Sequence, residues 1–179
     1  MLVMDALDST LLHLFAAEPR IGVLEASRRL GVARATVQAR LDKLVARGVV
    51  TGWGPELSAS ALGYPVTAFL TLEILQGSGH DAIAAQLARI PEVLEAHTIT
   101  GVGDMWVRVV ARDNTDLQRV IDEALRVPGI TRSTTVIALA EQIGHRVLPL
   151  AAKAAQRGGD PAEPVDPAEP VDPAETRGG

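Results

Sequence analysis

The chain has 179 residues and a formal net charge of −5 at pH 7, and 47% of its residues are hydrophobic. This apolar content suffices for a packed core and excludes a wholly disordered protein, while the lack of cysteine excludes disulfides, thiolate metal sites and cysteine nucleophiles. No apolar run reaches the ~18–20 residues that span a bilayer, and the N-terminus lacks a basic signal-peptide segment, so we expect a cytoplasmic protein with no membrane partner.

Three short helices are predicted in the first fifty residues. The first follows Asp8, which can cap it, and ends at Pro19. The second covers about 23–30 and ends at Gly31, a residue that tolerates positive φ. Its expected core positions are Leu24, Ser27 and Leu30.

The third predicted helix covers about 34–46. Val37, Leu41 and Leu44 fall at i, i+4 and i+7, which places them on one apolar stripe. Residues 49–57 then predict a short extended pair. That pair would be the wing of a winged helix-turn-helix domain.

From residue 64 onward the pattern changes to strands that alternate with helices. The predicted strands are 66–75, 93–100, 105–112 and 130–139, and the predicted helices are 81–90 and 114–127. The order βαββαβ is the split-βαβ, ferredoxin-like arrangement, in which two helices cover one face of the sheet. The bare face needs a partner, so we expect a dimer or a larger assembly. The predicted fold class is therefore α+β.

A basic cluster lies on the second and third helices. Residues 28–47 contain six Arg and Lys residues and a single acid, Asp42, within a chain that is acidic overall. Three helices with a glycine turn before the third indicate a helix-turn-helix unit, whose third helix would enter the major groove of double-stranded DNA. A solvated helix face that never contacts DNA is the alternative interpretation of such a charge run.

The outer face of the third helix carries the expected DNA contacts. Small side chains let a helix approach the bases, while Gln and Arg make bidentate contacts with adenine and guanine edges. The residues expected near the bases are Arg34, Ala35, Thr36, Gln38, Ala39 and Arg40. The residues expected at the phosphates are Arg28, Arg29, Lys43 and Arg47. Arg40 could instead pair with a carboxylate at the domain boundary.

These features together resemble the Lrp/AsnC (feast/famine) transcriptional regulators. The similarity covers about residues 4–150 and rests on six segments in order: 4–8 with 11–12, 18–21, 31–33 with 37–44, 47–53, 62–63 and 100–104. The chain departs from the family pattern at Ala26-Ser27, at Ala33, where a capping Ser is usual, and at Met105, where an aromatic residue often follows the signature Asp. Loss of the Ser cap would cost about 0.5–2 kcal/mol.

The resemblance implies a C-terminal RAM domain that dimerises, with four dimers commonly forming an octamer. It also implies DNA binding by paired N-terminal domains and an amino acid or related metabolite bound between subunits. The expected site is the turn at 101–104, because exposed glycine amides can hold a carboxylate and Asp104 can pair with an ammonium group. The expected effector residues are Thr98, Thr100, Gly101, Val102, Gly103, Asp104 and Trp106. A plain turn between two strands is the alternative.

The predicted domains are a helix-turn-helix domain at 1–52, a wing and linker at 53–65, the βαββαβ domain at 66–150 and a disordered tail at 151–179. The tail contains the acidic repeat Asp-Pro-Ala-Glu-Pro-Val, whose regular prolines prevent both helix and central strand. It could be a docking segment or an inert solubilising extension.

Three functions compete at this level. The first is a sequence-specific, amino-acid-controlled DNA-binding regulator at the nucleoid. The second is an enzyme like the siroheme decarboxylases, which resemble this family; the four histidines, however, are scattered, and only His97 falls on a strand near the cleft. The third is an architectural DNA-binding protein without an effector. No nucleophile–base pair, phosphate loop or metal-ligand spacing is present, so we expect no catalytic residues, no metal and no cofactor.

Overall fold

The computed structural model of the chain describes residues 4–75 and 77–159. Among these, one compact unit contains residues 4–53 and 145–159, and the other contains 54–75 and 77–144. The first unit therefore includes a segment after residue 144 that the sequence placed in the second domain or the tail. No helix in the described part of the chain is long and apolar enough to cross a membrane.

The first unit begins with α1 (Ala6–Ala17), α2 (Val23–Leu30) and α3 (Arg34–Ala46). The predicted stripe of α3 is confirmed, because Val37, Leu41 and Leu44 are all buried. The assignment of Leu24 to the core is wrong, since 49% of it is exposed. The buried residues of α2 are Ala26 and Ser27 instead.

The N-terminus of α1 is capped one turn earlier than predicted. Asp5 is the N-cap residue, and Asp8 is the third residue of the helix. The Asp8 amide donates to the Asp5 carboxylate at 2.9 Å, and the Asp5 amide donates to the Asp8 carboxylate at 3.3 Å. This reciprocal capping box satisfies two amides that would otherwise lack a partner.

The predicted wing is not formed. Residues 51–58 have no regular secondary structure. The amides of Val49 and Val50 instead donate to the Leu44 carbonyl, at 2.9 and 3.3 Å, and so close the end of α3. Pro55 also lacks an amide donor, which disfavours a paired strand in this segment.

The second unit confirms the βαββαβ order. Its strands are β1 (Val66–Ile74), β2 (Val93–Thr98), β3 (Met105–Ala111) and β4 (Ile130–Ile137), and its helices are α4 (His80–Leu87) and α5 (Asn114–Leu125). The strands pair antiparallel in the order β2-β3-β1-β4. Most elements end a few residues earlier than predicted.

Alternation along β1 separates the two faces of this sheet. Ala68, Leu70 and Leu72 are fully buried and pack in one cluster with apolar residues of α4 and α5. Phe69 and Thr71 point to the opposite side, which we call the open face. The open face is defined by Thr67, Phe69, Thr71 and Glu73 of β1, Glu95 and His97 of β2, Trp106 and Arg108 of β3, and Thr134 and Val136 of β4.

A final helix, α6 (Pro149–Gly159), packs against α1 in the first unit. Ala151 is buried. The prediction of disorder from residue 151 is therefore wrong for 151–159, where alanine favours helix and proline is accepted in the first turn. The acidic repeat at 160–179 lies outside the described residues.

Candidate DNA-binding surface and effector site

The turn between α2 and α3 depends on Gly31. This residue has φ of 65° and ψ of 28°, a left-handed conformation that costs other residues energy. The Gly31 amide donates to the Arg28 carbonyl at 3.3 Å, and the Val32 amide donates to the Ser27 carbonyl at 3.1 Å. These bonds end α2 and begin the turn into α3.

The outer face of α3 carries small side chains. Ala35, Thr36 and Ala39 are exposed, on the side away from the buried stripe. A helix with small residues on its outer face can approach base edges closely. The expected arrangement is therefore present, while contact of these residues with DNA stays a prediction.

The basic cluster divides into free and paired side chains. Arg34, Lys43 and Arg47 are exposed and form no ion pair with another described residue. Arg28 lies 3.8 Å from Glu25, and Arg29 contacts both Glu18 and Glu25, which raises the pKa of Arg29 chiefly through its bond to Glu18. Exposed ion pairs are weak, so phosphates can compete for these two arginines.

Arg40 is not free to reach DNA. Its Nη1 lies 2.6 Å from Asp5 Oδ2 and 2.7 Å from Asp8 Oδ1. Both carboxylates raise the pKa of Arg40, and the hydrogen bond from Arg40 is the main cause of the lowered pKa of Asp5. Arg40 therefore joins α3 to α1, and its assignment as a base contact is withdrawn. The alternative role predicted for it, an ion pair, is found within the first unit.

Gln38 has a partner that the sequence analysis missed. Its Nε2 donates to Asp42 Oδ1 at 2.8 Å, and both side chains are exposed on α3. The spacing of four residues on one helix could have indicated this bond. Asp42 is thus on the same side of α3 as a predicted base contact.

The loop at 101–104 is bound to the end of β1. The Asp104 amide donates to the Leu72 carbonyl at 2.9 Å, and Asp104 Oδ2 accepts from the Ile74 amide at 2.7 Å. One carboxylate oxygen of Asp104 therefore has a structural role that the sequence did not show.

Gly103 must be glycine for two reasons. Its φ is 80°, and a Cβ at this position would lie 2.4 Å from Thr71 Cγ2 and 3.2 Å from the Leu72 carbonyl oxygen. Within the described part of the chain, the amides of residues 101–103 donate to no backbone carbonyl. The loop therefore presents unpaired donors beside the Asp104 carboxylate.

The remaining effector candidates are not all on one side of the sheet. Thr98 pairs with Met105 in the ladder, whereas Trp106 pairs with His97, so alternation places Thr98 and Trp106 on opposite faces. Thr100 and Val102 are exposed in the loop. Trp106 therefore does not line one pocket wall with Thr98.

Trp106 belongs to an aromatic and charged group on the open face. Its ring stacks on Phe69 with centroids 4.9 Å apart and an angle of 18°, and the His97 ring lies 5.8 Å away. Arg108 donates to Glu95 at 3.2 Å, and its buried Nε has no partner among the described residues. The two-residue alternation of β1 could have predicted Phe69 here.

His97 lies on β2, as the sequence predicted. This histidine is exposed, with Nε2 3.6 Å from Glu95. In residues 4–75 and 77–159, no three His, Cys, Asp or Glu side chains meet where they could hold a metal ion.

Two family profiles match the chain over separate ranges. The AsnC-type helix-turn-helix domain matches residues 4–45, and the Lrp/AsnC ligand binding domain matches residues 67–148. The first range contains α1, α2 and almost all of α3. The second contains almost all of the sheet together with α4 and α5.

Individual relatives are similar over most of their length. The transcriptional regulator FL11 of Pyrococcus horikoshii is 26% identical over 147 residues, which is 82% of this chain and 97% of FL11. The regulatory protein AsnC of Escherichia coli is 27% identical over 148 residues, which is 82% of this chain and 97% of that protein. The solved structure of E. coli AsnC has a TM-score of 0.75, and the match covers 83% of this chain and 100% of that chain.

A third relative was solved with a small molecule. The transcriptional regulator NMB0573 of Neisseria meningitidis, in complex with L-Met, is 25% identical with a TM-score of 0.68. The match covers 79% of this chain and 93% of that chain.

Proposed function

This chain belongs to the Lrp/AsnC family of transcriptional regulators, and we propose that α3 binds DNA and that an amino acid bound at the loop 101–104 controls this binding. The chain is an effector-controlled DNA-binding regulator. The named relatives are transcriptional regulators, which favours regulation over catalysis as the role of this chain.

The observation that carries the DNA proposal is the exposed face of α3. Small residues at its centre are flanked by Arg34, Lys43 and Arg47, none of which pairs with a described carboxylate. Arginine and lysine at the edge of a major-groove helix bind phosphates and orient the helix on the duplex. We therefore assign Lys43 and Arg47 to phosphates, with Arg28 and Arg29 as further contacts.

Salt dependence tests this assignment. Each lost phosphate contact reduces the magnitude of the slope of log affinity against log salt by about 0.9. The double variant Lys43→Ala with Arg47→Ala should therefore reduce it by about 1.8 for each α3 that is bound to DNA. Arg89→Ala is the control, because it removes one positive charge from an exposed position in the other unit. An unchanged slope in the double variant would show that these residues do not contact phosphates.

The effector proposal rests on the unpaired amides of residues 101–103 beside Asp104. Such amides suit the carboxylate of an amino acid, and Asp104 Oδ1 suits its ammonium, because Oδ2 is held by the Ile74 amide. The L-Met complex of NMB0573 makes methionine the first amino acid to test. An effector changes regulation only if it binds one assembly or DNA-bound state better than another.

A thermal-shift panel of the twenty amino acids tests the site. A ligand at 100 times its Kd stabilises the folded state by about 2.7 kcal/mol. Asp104→Asn should abolish the shift, since it removes the charge but keeps an oxygen that accepts from Ile74. Asp81→Asn, at an exposed position of α4, should leave the shift unchanged. A shift that persists in Asp104→Asn contradicts the assignment.

The open face supports assembly into dimers. It exposes Val136 and carries the stacked pair Phe69 and Trp106, while the buried Arg108 Nε lacks a partner among the described residues. A second copy would cover this apolar area and could supply an acceptor. We propose a homodimer that associates further, up to an octamer, in the cytoplasm at the nucleoid. Light scattering of wild type and Phe69→Lys tests it, because the charge should dissociate the dimer.

A further inference from the structure

We infer that Asp42 positions the Gln38 amide so that α3 selects adenine at one position of its DNA site. The inference rests on the proposed function, since it requires α3 in the major groove. It concerns specificity, and Asp42 itself need not touch the DNA.

The hydrogen bond between the two side chains fixes which way the amide faces. A carboxylate only accepts hydrogen bonds, so the Gln38 nitrogen must face Asp42 across the 2.8 Å contact. The amide oxygen must then point away from Asp42. Of the two N–H groups, one is held by Asp42 and one remains for another partner.

The groups that remain free match an adenine edge. In the major groove adenine presents the N6 donor next to the N7 acceptor. A glutamine amide can accept from N6 with its oxygen and donate to N7 with one N–H. Guanine presents two acceptors, O6 and N7, so the amide oxygen would meet another acceptor. Because Asp42 holds the second N–H, Gln38 cannot offer guanine two donors.

The surroundings of Gln38 favour this role. The neighbouring outer residues Ala35 and Ala39 are small and exposed, so they do not prevent the approach of a base. Asp42 is the single acid within 28–47, and a negative charge near the phosphates opposes DNA binding. Positioning of Gln38 is a role that requires an acceptor at this position despite that unfavourable charge.

The chain contains a matched control pair. Gln118 Nε2 donates to Asp122 Oδ1 at 2.8 Å, also with a spacing of four residues and with both side chains exposed, but on α5 in the other unit. Asp122→Ala makes the same change in charge and breaks the same kind of bond. It should alter neither DNA affinity nor base preference.

The experiment first selects duplexes from a randomised library with the full chain. Affinity is then measured for the selected duplex, for its single adenine-to-guanine and cytosine-to-thymine variants, and for a scrambled duplex. Asp42→Ala should bind the scrambled duplex more tightly, because a negative charge is lost. Its preference for adenine over guanine at one position should fall roughly tenfold. Asp42→Asn should keep most of that preference, because its amide oxygen still accepts from Gln38. In a Gln38→Ala background, Asp42→Ala should cause no further loss of the preference for adenine over guanine.

Two results would overturn the inference. One is an unchanged adenine preference in Asp42→Ala. The other is that Asp42→Ala removes a preference for cytosine, and does so equally when Gln38 has already been replaced by alanine. That result would mean that Asp42 accepts directly from cytosine N4. Failure of the proposed function looks different, because the wild-type chain would then select no duplex at all.

Discussion

The Arg40 guanidinium on α3 donates to the Asp8 carboxylate on α1 at 2.7 Å, and only 5% of the Asp8 side chain is exposed. Asp8 also forms the capping box with Asp5, so two functions converge on one buried carboxylate. A buried charge without a partner is costly. Arg40 therefore stabilises the first unit by satisfying this charge.

Replacement of Arg40 should lower stability without removing a DNA contact. Arg40→Gln should reduce the free energy of unfolding by about 1–3 kcal/mol, since Asp8 loses a charged donor. Urea unfolding measures this loss. Arg34→Gln is the matched variant, because Arg34 is exposed and should change DNA affinity while leaving stability nearly constant. The opposite pattern in the two variants would show that Arg40 contacts DNA.

Acid should weaken the second unit through Asp116. The side chain of Asp116 is 3% exposed, and hydrogen bonds from Arg112, then from Arg119, hold the pKa of this carboxyl well below its usual range. The unfolded pKa is about 3.9, so the stabilisation is complete above that pH and is lost as pH falls through the lower folded pKa.

Thermal melts from pH 6 to pH 2 measure this dependence. The difference in Tm between wild type and Asp116→Asn should be constant down to about pH 4 and should then narrow. The difference in Tm that Asp116→Asn causes should also be smaller when Arg112 has been replaced by glutamine. Arg112→Gln removes the hydrogen bond that is the main cause of the lowered pKa of Asp116. A difference that is independent of pH in this range would argue against the ion pair.

A side chain at position 103 should lower the stability of the fold, and a smaller residue at position 71 should relieve part of this effect. Gly103→Ala requires a non-glycine residue at φ of 80° and places Cβ 2.4 Å from Thr71 Cγ2, so we expect a loss of about 1–3 kcal/mol. Thr71→Ser removes that methyl group and should recover part of the loss in the double variant. Chemical unfolding of the two single variants and the double variant checks this. No recovery would mean that the backbone conformation alone sets the cost.

The helix α6 should stabilise the first unit. A chain that ends at Leu148 lacks α6 and exposes the surface of α1 on which α6 packs. A loss of 1 kcal/mol lowers Tm by about 4–8 °C in a small domain, so a clear decrease is expected. A chain that ends at Gly159 keeps α6 and is the control. Equal melting of the two shortened chains would show that α6 contributes nothing.

Helix and strand positions were largely predictable because they depend on local periodicity. The spacing of Val37, Leu41 and Leu44 indicated the buried side of α3, and the apolar, β-branched run at 66–75 indicated the strand β1. These patterns repeat within a few residues, so they predict the helix and the strand without knowledge of the rest of the chain. The wing was predicted wrongly because the amides of Val49 and Val50 donate to the Leu44 carbonyl, so they do not pair with a second strand.

The sequence by itself determined the two-part organisation of this protein, the outer face of α3 and the glycine loop before Asp104. Only the tertiary structure decided what the charged groups there do. Arg40 meets Asp5 35 residues away, and the Asp104 carboxylate meets the Ile74 amide 30 residues away. The physical reason is that an ion pair or hydrogen bond acts only at contact distance, and packing of the whole chain determines which distant groups come into contact.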